Sequence, residues 1–289
     1  MSGVRSVCGE IFDKRSLLIL IAVTVLASAC SNGEQPKTVP RRLGPTSSSS
    51  RGPTGRIHGM VRLQGNPPAN GVEPITQDQS TCGTSVSLPR LALSKTNGVQ
   101  RAFVYLDGVA NVQDGNFRPR GPVLVDQNKC QYSPHALVVS AGTKLEITNS
   151  DPILHNVHAQ QAGEDGLLTL FNIAQPVRGQ RNIVDQPLTK PGIVVLSCEA
   201  GHPWMSAYVF VANHPYVTVT NDEGEFVIDD VPAGTYRIKM WHEGVTLKRI
   251  LKTFQRYEFE DAYELTQEVV VPPGGDAVVN FDMALRPAT

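Results

Sequence analysis

The stretch Ile193-Val-Val-Leu-Ser-Cys198-Glu-Ala-Gly-His202-Pro-Trp-Met205-Ser-Ala-Tyr-Val-Phe210 carries an apolar β-pattern, a break, and a second β-pattern. The two flanking runs are short, rich in β-branched and aromatic residues, and bounded by turn formers, as strands of a buried sheet are. Comparable runs recur at 56–63, 100–106, 122–126, 136–140, 144–148, 167–173, 180–184, 192–197 and 207–212. No long helical pattern separates them, so the expected class is all-β, a Greek-key β-sandwich. After Asn213-His-Pro215 the composition changes. The runs 217–220, 225–228, 236–241 and 277–281, with turns at Asn221-Asp-Glu-Gly224 and Val231-Pro-Ala-Gly234, give a second, smaller β unit.

The chain has 289 residues, with 26 Lys+Arg against 27 Asp+Glu. That is long enough for two ordinary domains. The balance leaves no basic field to recruit nucleic acid.

Lys14-Arg15, the apolar run 17–26 and the small residues Ala27-Ser28-Ala29 before Cys30 have the layout of a secretory signal peptide over 1–29. The apolar run is short for a membrane span. Leu26-Ala-Ser-Ala-Cys30 resembles a bacterial lipoprotein box, which implies lipidation at Cys30 and anchoring in the cell envelope, periplasmic or at the outer membrane. Ala27 stands where that pattern usually has Leu, and Ala27-Ser-Ala29 equally fits an ordinary signal-peptidase site. Residues 30–54, rich in Ser, Pro, Gly and Arg, read as a disordered tether.

In that oxidising compartment the cysteine count is informative. Of five, Cys8 leaves with the signal and Cys30 takes the lipid, which leaves Cys82, Cys130 and Cys198. If Cys82 and Cys130 pair, the closed loop contributes about 4 kcal/mol by chain entropy, and Cys198 remains single. A single thiol outside the cytoplasm oxidises unless something occupies it. A metal would.

Cys198, His202 and Met205 offer a thiolate, an imidazole and a thioether on one loop, a soft donor set that suits copper better than zinc or calcium. The plainer reading is a buried core thiol, a His-Pro turn and a packing methionine. Upstream, a Gly142-led strand and the turn Ser150-Asp-Pro152 precede His155. If His155 points inward beside the strand that leads to Cys198, the set becomes one thiolate, two imidazoles and a weak axial Met205, that of a blue-copper electron-transfer site. His158, three residues on, should face the other side of its strand. His135, close to Cys130, reads as structural, and His58, His214 and His242 lack ligand-spaced neighbours. Trp204 reads either as an apolar rim over the site or as packing between the two β units.

At His155-Asn-Val-His158 and at Cys198, His202-Pro203 and Met205 the sequence resembles the cupredoxins of the plastocyanin and amicyanin type. The resemblance implies copper as the cofactor, held by His155, Cys198, His202 and Met205. It also implies an Asn156 side chain that tethers the ligand loop, and single-electron exchange with redox protein partners in the envelope, without catalysis. One departure is plain: Glu199-Ala-Gly201 puts three residues between Cys198 and His202 where amicyanin-type loops have two. Thr220-Asn-Asp-Glu-Gly-Glu-Phe226 and Val231-Pro-Ala-Gly-Thr-Tyr236 resemble the carboxypeptidase regulatory-like domain, a prealbumin-type sandwich that is mostly structural or adhesive. Residues 248–268 fit no element of it. The expected layout is therefore signal 1–29, tether 30–54, cupredoxin-like domain 55–212 and regulatory-like domain 213–289. Two other readings remain open, an envelope binding or scaffold lipoprotein with an empty cupredoxin fold and a copper storage or delivery protein.

Overall fold

The computed structural model describes residues 52–286 apart from 70, 89, 110–116, 165 and 252–255. The signal peptide, Cys30 and nearly all of the tether lie outside the described residues. Among those described, the chain is all-β except for one short helix, Gln79–Cys82 (α1), and no helix is long and apolar enough to cross a membrane.

One sandwich is built from the middle of the chain. Its first sheet runs in the order Gly166–Gln175 (β10), His155–Gly163 (β9), Gly192–Ser197 (β12), Ser206–Ala212 (β13) and Ala136–Ser140 (β7). The facing sheet is Arg181–Ile183 (β11), Leu145–Asn149 (β8), Val123–Asn128 (β5) and Gln131–Ser133 (β6). Most neighbours are antiparallel, but β13 runs parallel to β7 and β5 parallel to β8. Alternate residues of each strand fill the core: Val157 and Ala159 on β9, Val194 and Leu196 on β12, Ala207, Val209 and Val211 on β13, Leu145 and Ile147 on β8. Side chains two apart share a face, so this alternation also decides where the residues at the strand ends point.

The second sandwich is not a contiguous C-terminal piece. Thr54–Gln64 (β1) lies between Glu225–Pro232 (β15), antiparallel to it, and the parallel strands Asp276–Val278 (β20) and Phe281–Ala284 (β21). The opposite sheet is Val217–Val219 (β14), Phe103–Asp107 (β4), Gly234–His242 (β16) and Tyr263–Val271 (β19). The expected division at 212/213 therefore does not follow the sheets, because β1 and β4 belong with the C-terminal strands. The physical reason is visible in β1: Ile57 and Val61 are fully buried against Phe226, Ile228 and Phe281, and without β1 nothing bridges β15 to β20 and β21. At Gly59 a side chain would collide with the Val279 carbonyl oxygen, so only glycine lets the chain between β20 and β21 pass so close to β1.

Two hairpins complete the described residues. Leu247–Leu251 (β17) pairs with Arg256–Phe259 (β18) inside the region left unassigned from sequence, and the rest of that region feeds β19. Gly71–Pro74 (β2) pairs with Ser85–Leu88 (β3) and brackets α1. The outer faces of the two sandwiches meet in an aromatic seam. Phe103 of β4 packs on Phe210 of β13 at 5.5 Å between ring centroids, Tyr105 on Phe210 at 4.7 Å and Tyr208 on Trp241 at 5.2 Å. Such tilted contacts suit the ring quadrupoles.

Candidate metal centre

The alternation of three strands delivers the site. His155 opens β9 on the same face as Val157 and Ala159, and Cys198 continues the inward row of Val194 and Leu196 just past β12. Met205 precedes β13 in phase with Ala207 and Val209. All three side chains are buried, as is His202. His158 has the opposite phase and turns outward to Glu199, at 2.7 Å, and Thr169, at 2.8 Å. The loop between Cys198 and Met205 is closed by Met205 N–H donating to the His202 carbonyl at 2.9 Å. Gly201 sits at φ 89°, a left-handed conformation that suits glycine and lets the longer loop fold back.

Three of the four predicted ligands, His155, Cys198 and His202, are brought together. His155 Nδ1 and His202 Nδ1 face each other at 3.1 Å, and Cys198 Sγ lies 3.7 Å from His202 Nδ1. Bond lengths of about 2.0–2.1 Å to imidazole and about 2.3 Å to thiolate place donors around one ion roughly 3.3–3.8 Å apart. Both of these distances match that spacing within a few tenths of an ångström. Met205 is buried at the loop's end, where its carbonyl accepts from the Cys198 N–H at 3.4 Å.

The far side of each imidazole fixes its tautomer. His155 Nε2 is 2.9 Å from Asp151 Oδ2, and His202 Nε2 is 3.1 Å from Asp78 Oδ2. A carboxylate only accepts, so each Nε2 donates to it and each ring turns its Nδ1 into the site. Burial, with His155 nearby, depresses the His202 pKa and so favours the neutral ring. Two imidazole nitrogens and a sulfur converging in a buried site form a donor set that fits a soft transition metal.

The remaining contacts hold the cluster still. Burial pushes the Cys198 thiol up, while backbone hydrogen bonds from Asn156, Ala200 and His202 oppose that by favouring the thiolate. The Asn156 side chain accepts the Glu199 N–H and donates to Asn172 Oδ1 at 2.6 Å, which pins the ligand loop to β9 and β10. Tyr132 donates to the Asn156 carbonyl at 2.6 Å. Asp151 also accepts the backbone N–H groups of Lys129 and Cys130 at 2.8 and 2.9 Å. Cys130 is disulfide-bonded to Cys82, the last residue of α1, so the bond ties the Asp78 turn to the segment that Asp151 grips.

Asp78 and Asp151 were missed from sequence. Asp151 had a signal in the turn just before His155, while Asp78 lies 124 residues from His202 and had none. Trp204 packs edge-on to His202 at 5.4 Å and donates from Nε1 to the Cys130 carbonyl at 3.1 Å, so it shields the imidazole. Arg90 then links this loop to the second sandwich: its guanidinium donates to Ser206 Oγ at 2.6 Å, pairs with Glu243 at 3.3 Å and lies over the Phe259 ring. Glu243 also binds His135, whose structural reading it explains. Burial works against ionisation of Glu243, yet His135, Arg90 and His242 together hold its carboxyl at about 2. Arg90, His135, Trp204, Ser206, His242 and Glu243 line a cleft of about 570 Å³ beside the ligand loop.

The chain resembles several solved structures over part of its length. A purple cupredoxin from Nitrosopumilus maritimus is 23% identical, covers 31% of this chain and 99% of its own, and has a TM-score of 0.26. A reduced amicyanin mutant is 24% identical, covers 38% of this chain and 98% of its own, and has a TM-score of 0.27. A Cu-containing nitrite reductase from Thermus scotoductus is 24% identical over 36% of this chain, with a TM-score of 0.27, and this chain spans only 25% of that one. No protein-family description and no curated protein matches the sequence.

Proposed function

We propose that the protein is a cell-envelope copper protein that carries single electrons between redox partners. The observation that carries the reading is the buried cluster itself: two Nδ1 atoms 3.1 Å apart with a thiol sulfur at 3.7 Å, each imidazole backed by a carboxylate. Copper, when bound, supplies a one-electron couple.

The chain's own residues do the rest. Cys198 would provide the strong thiolate donor, His155 and His202 the two imidazoles, and Met205, at the end of the same loop, a thioether as a weak fourth donor. Asn156, Asp78 and Asp151 hold those donors in one arrangement, so little has to move between oxidation states. Trp204 keeps water from the His202 ring. The second sandwich, through Arg90 and Glu243, fixes the end of the loop. A lipid on Cys30 and the tether over 30–54 would hold the domain at a membrane within reach of a protein partner. Transfer rather than catalysis is the role proposed.

Mature protein loaded with Cu(II) is expected to show an intense thiolate-to-copper absorption in the visible and one copper per chain. A colourless protein that retains no copper after reconstitution overturns the reading.

A further inference from the structure

We propose that the cleft of about 570 Å³ beside the ligand loop is a binding site for a small organic dicarboxylate. Its volume falls in the ordinary range for small-molecule sites, and it lies where the two sandwiches meet, a common place for them. Such a site does not depend on copper at Cys198.

The lining carries three cations, Arg90, Arg101 and Lys129, and a single carboxylate, Glu243. That carboxylate is already engaged within the protein. One oxygen binds His135 Nε2, and the other pairs with Arg90 at 3.3 Å. Arg90 is engaged as well, since it also donates to Ser206 Oγ at 2.6 Å and to the Trp204 carbonyl at 3.4 Å. Arg101 and Lys129 are left over. Among the described residues neither side chain donates a hydrogen bond or pairs with a carboxylate. The charge of Arg101 is nonetheless felt inside the cleft: it adds to the burial that depresses the His242 imidazole in the same lining.

The two cations come from different sandwiches, Arg101 from the approach to β4 and Lys129 from the turn between β5 and β6. Both stand at left-handed backbone positions, Arg101 at φ 64° and Lys129 at φ 51°. Glycine takes that conformation most readily, so a long cationic side chain is kept there at a cost to the fold, as residues at ligand sites often are. Both positions are anchored: the Lys129 N–H donates to Asp151 at 2.8 Å, and the Arg101 N–H to the Thr220 carbonyl at 3.4 Å. A guanidinium and an ammonium are each matched by one carboxylate, which sets the ligand's charge at two. The apolar side chains Val86, Leu91 and Trp204 in the same lining suit a hydrocarbon frame better than a compact inorganic anion.

The test is calorimetric titration of the metal-free mature chain with adipate, with adipamide as its uncharged counterpart and inorganic phosphate as a compact anion. Adipate is expected to bind saturably, one per chain, with an affinity that falls as salt is raised. Adipamide is expected not to bind, and phosphate to bind roughly tenfold more weakly or less. Arg101→Gly and Lys129→Gly supply the residue that each φ favours, so each is expected to keep the thermal midpoint while weakening adipate roughly tenfold or more. Should a glycine variant lose stability, Arg101→Gln and Lys129→Gln keep the side-chain bulk, lose the charge, and are expected to weaken adipate to the same degree. No saturable binding of adipate to the wild-type chain overturns the proposal. So does an affinity that these variants leave unchanged, or phosphate bound as tightly as adipate.

Discussion

Asp151 accepts the Nε2 hydrogen of His155 at 2.9 Å and, with the same carboxylate, the amides of Lys129 and Cys130. One buried side chain thus orients a ligand and grips the segment bearing the disulfide. Carboxylates behind ligating histidines typically contribute ten- to a hundredfold in metal affinity. Asp151→Asn keeps the shape but loses the charge, and it is expected to weaken copper binding by about tenfold or more, read by competition titration.

Cys198 and Met205 should separate cleanly. Cys198→Ser is expected to abolish the visible charge-transfer band. Met205→Leu conserves volume in the core and should cost less than about 1.5 kcal/mol in stability. It is expected to keep the band while moving the reduction potential, as loss of a weak axial thioether would. Absorption spectroscopy and voltammetry on the two variants check this.

The Glu243 cluster should make the protein acid-sensitive. The folded-state carboxyl is depressed from 4.5 to about 2, so its contribution is complete above about 4.5 and is lost as pH falls towards 2. The charged and titratable groups around it are Arg90, His135, His242 and Tyr208. The contribution is at most of order 3 kcal/mol. Thermal midpoints should fall more steeply between pH 5 and pH 3 in the wild type than in Glu243→Gln.

The discontinuous second sandwich predicts the outcome of truncation. A chain ended after Ala212 keeps β1 and β4 but removes every strand they pair with. Ile57, Val61, Val104 and Leu106, all fully buried in the full chain, would be left exposed on unpaired edges, a recipe for aggregation. The shortened chain is expected to be insoluble or oligomeric by gel filtration, while removal of residues before 52 leaves the full chain monodisperse.

The strands and the gathering of His155, Cys198 and His202 were legible because their signals are local. The inward phase of Val194 and Leu196 carries to Cys198, and the phase separating His155 from His158 already placed one inside and the other out. The odd cysteine count anticipated the Cys82–Cys130 disulfide. What could not be read were relations between distant segments. Asp78 meets His202 only through the tertiary fold, and the alternation in 56–63 announces a strand without naming its neighbours. The resemblance of 213–289 to a self-contained domain hid that β1 and β4 are structural parts of it. Trp204 likewise had two readings, and only its ring contact with His202 places it beside the site.

The pairing of β1 also sets a schedule. The Met60 amide donates to the Asn280 side chain, 220 residues further on, and Val61 pairs with Phe281. A chain emerging from its N-terminus completes its first strand long before that strand's partners exist. Contacts of such sequence separation slow folding, and unpaired strands invite misassembly while they wait. The middle sandwich, with its donor cluster, contains all of its own strands and can close first. The earliest strand made is then among the last to be seated, and an early holdase would find it the natural segment to protect.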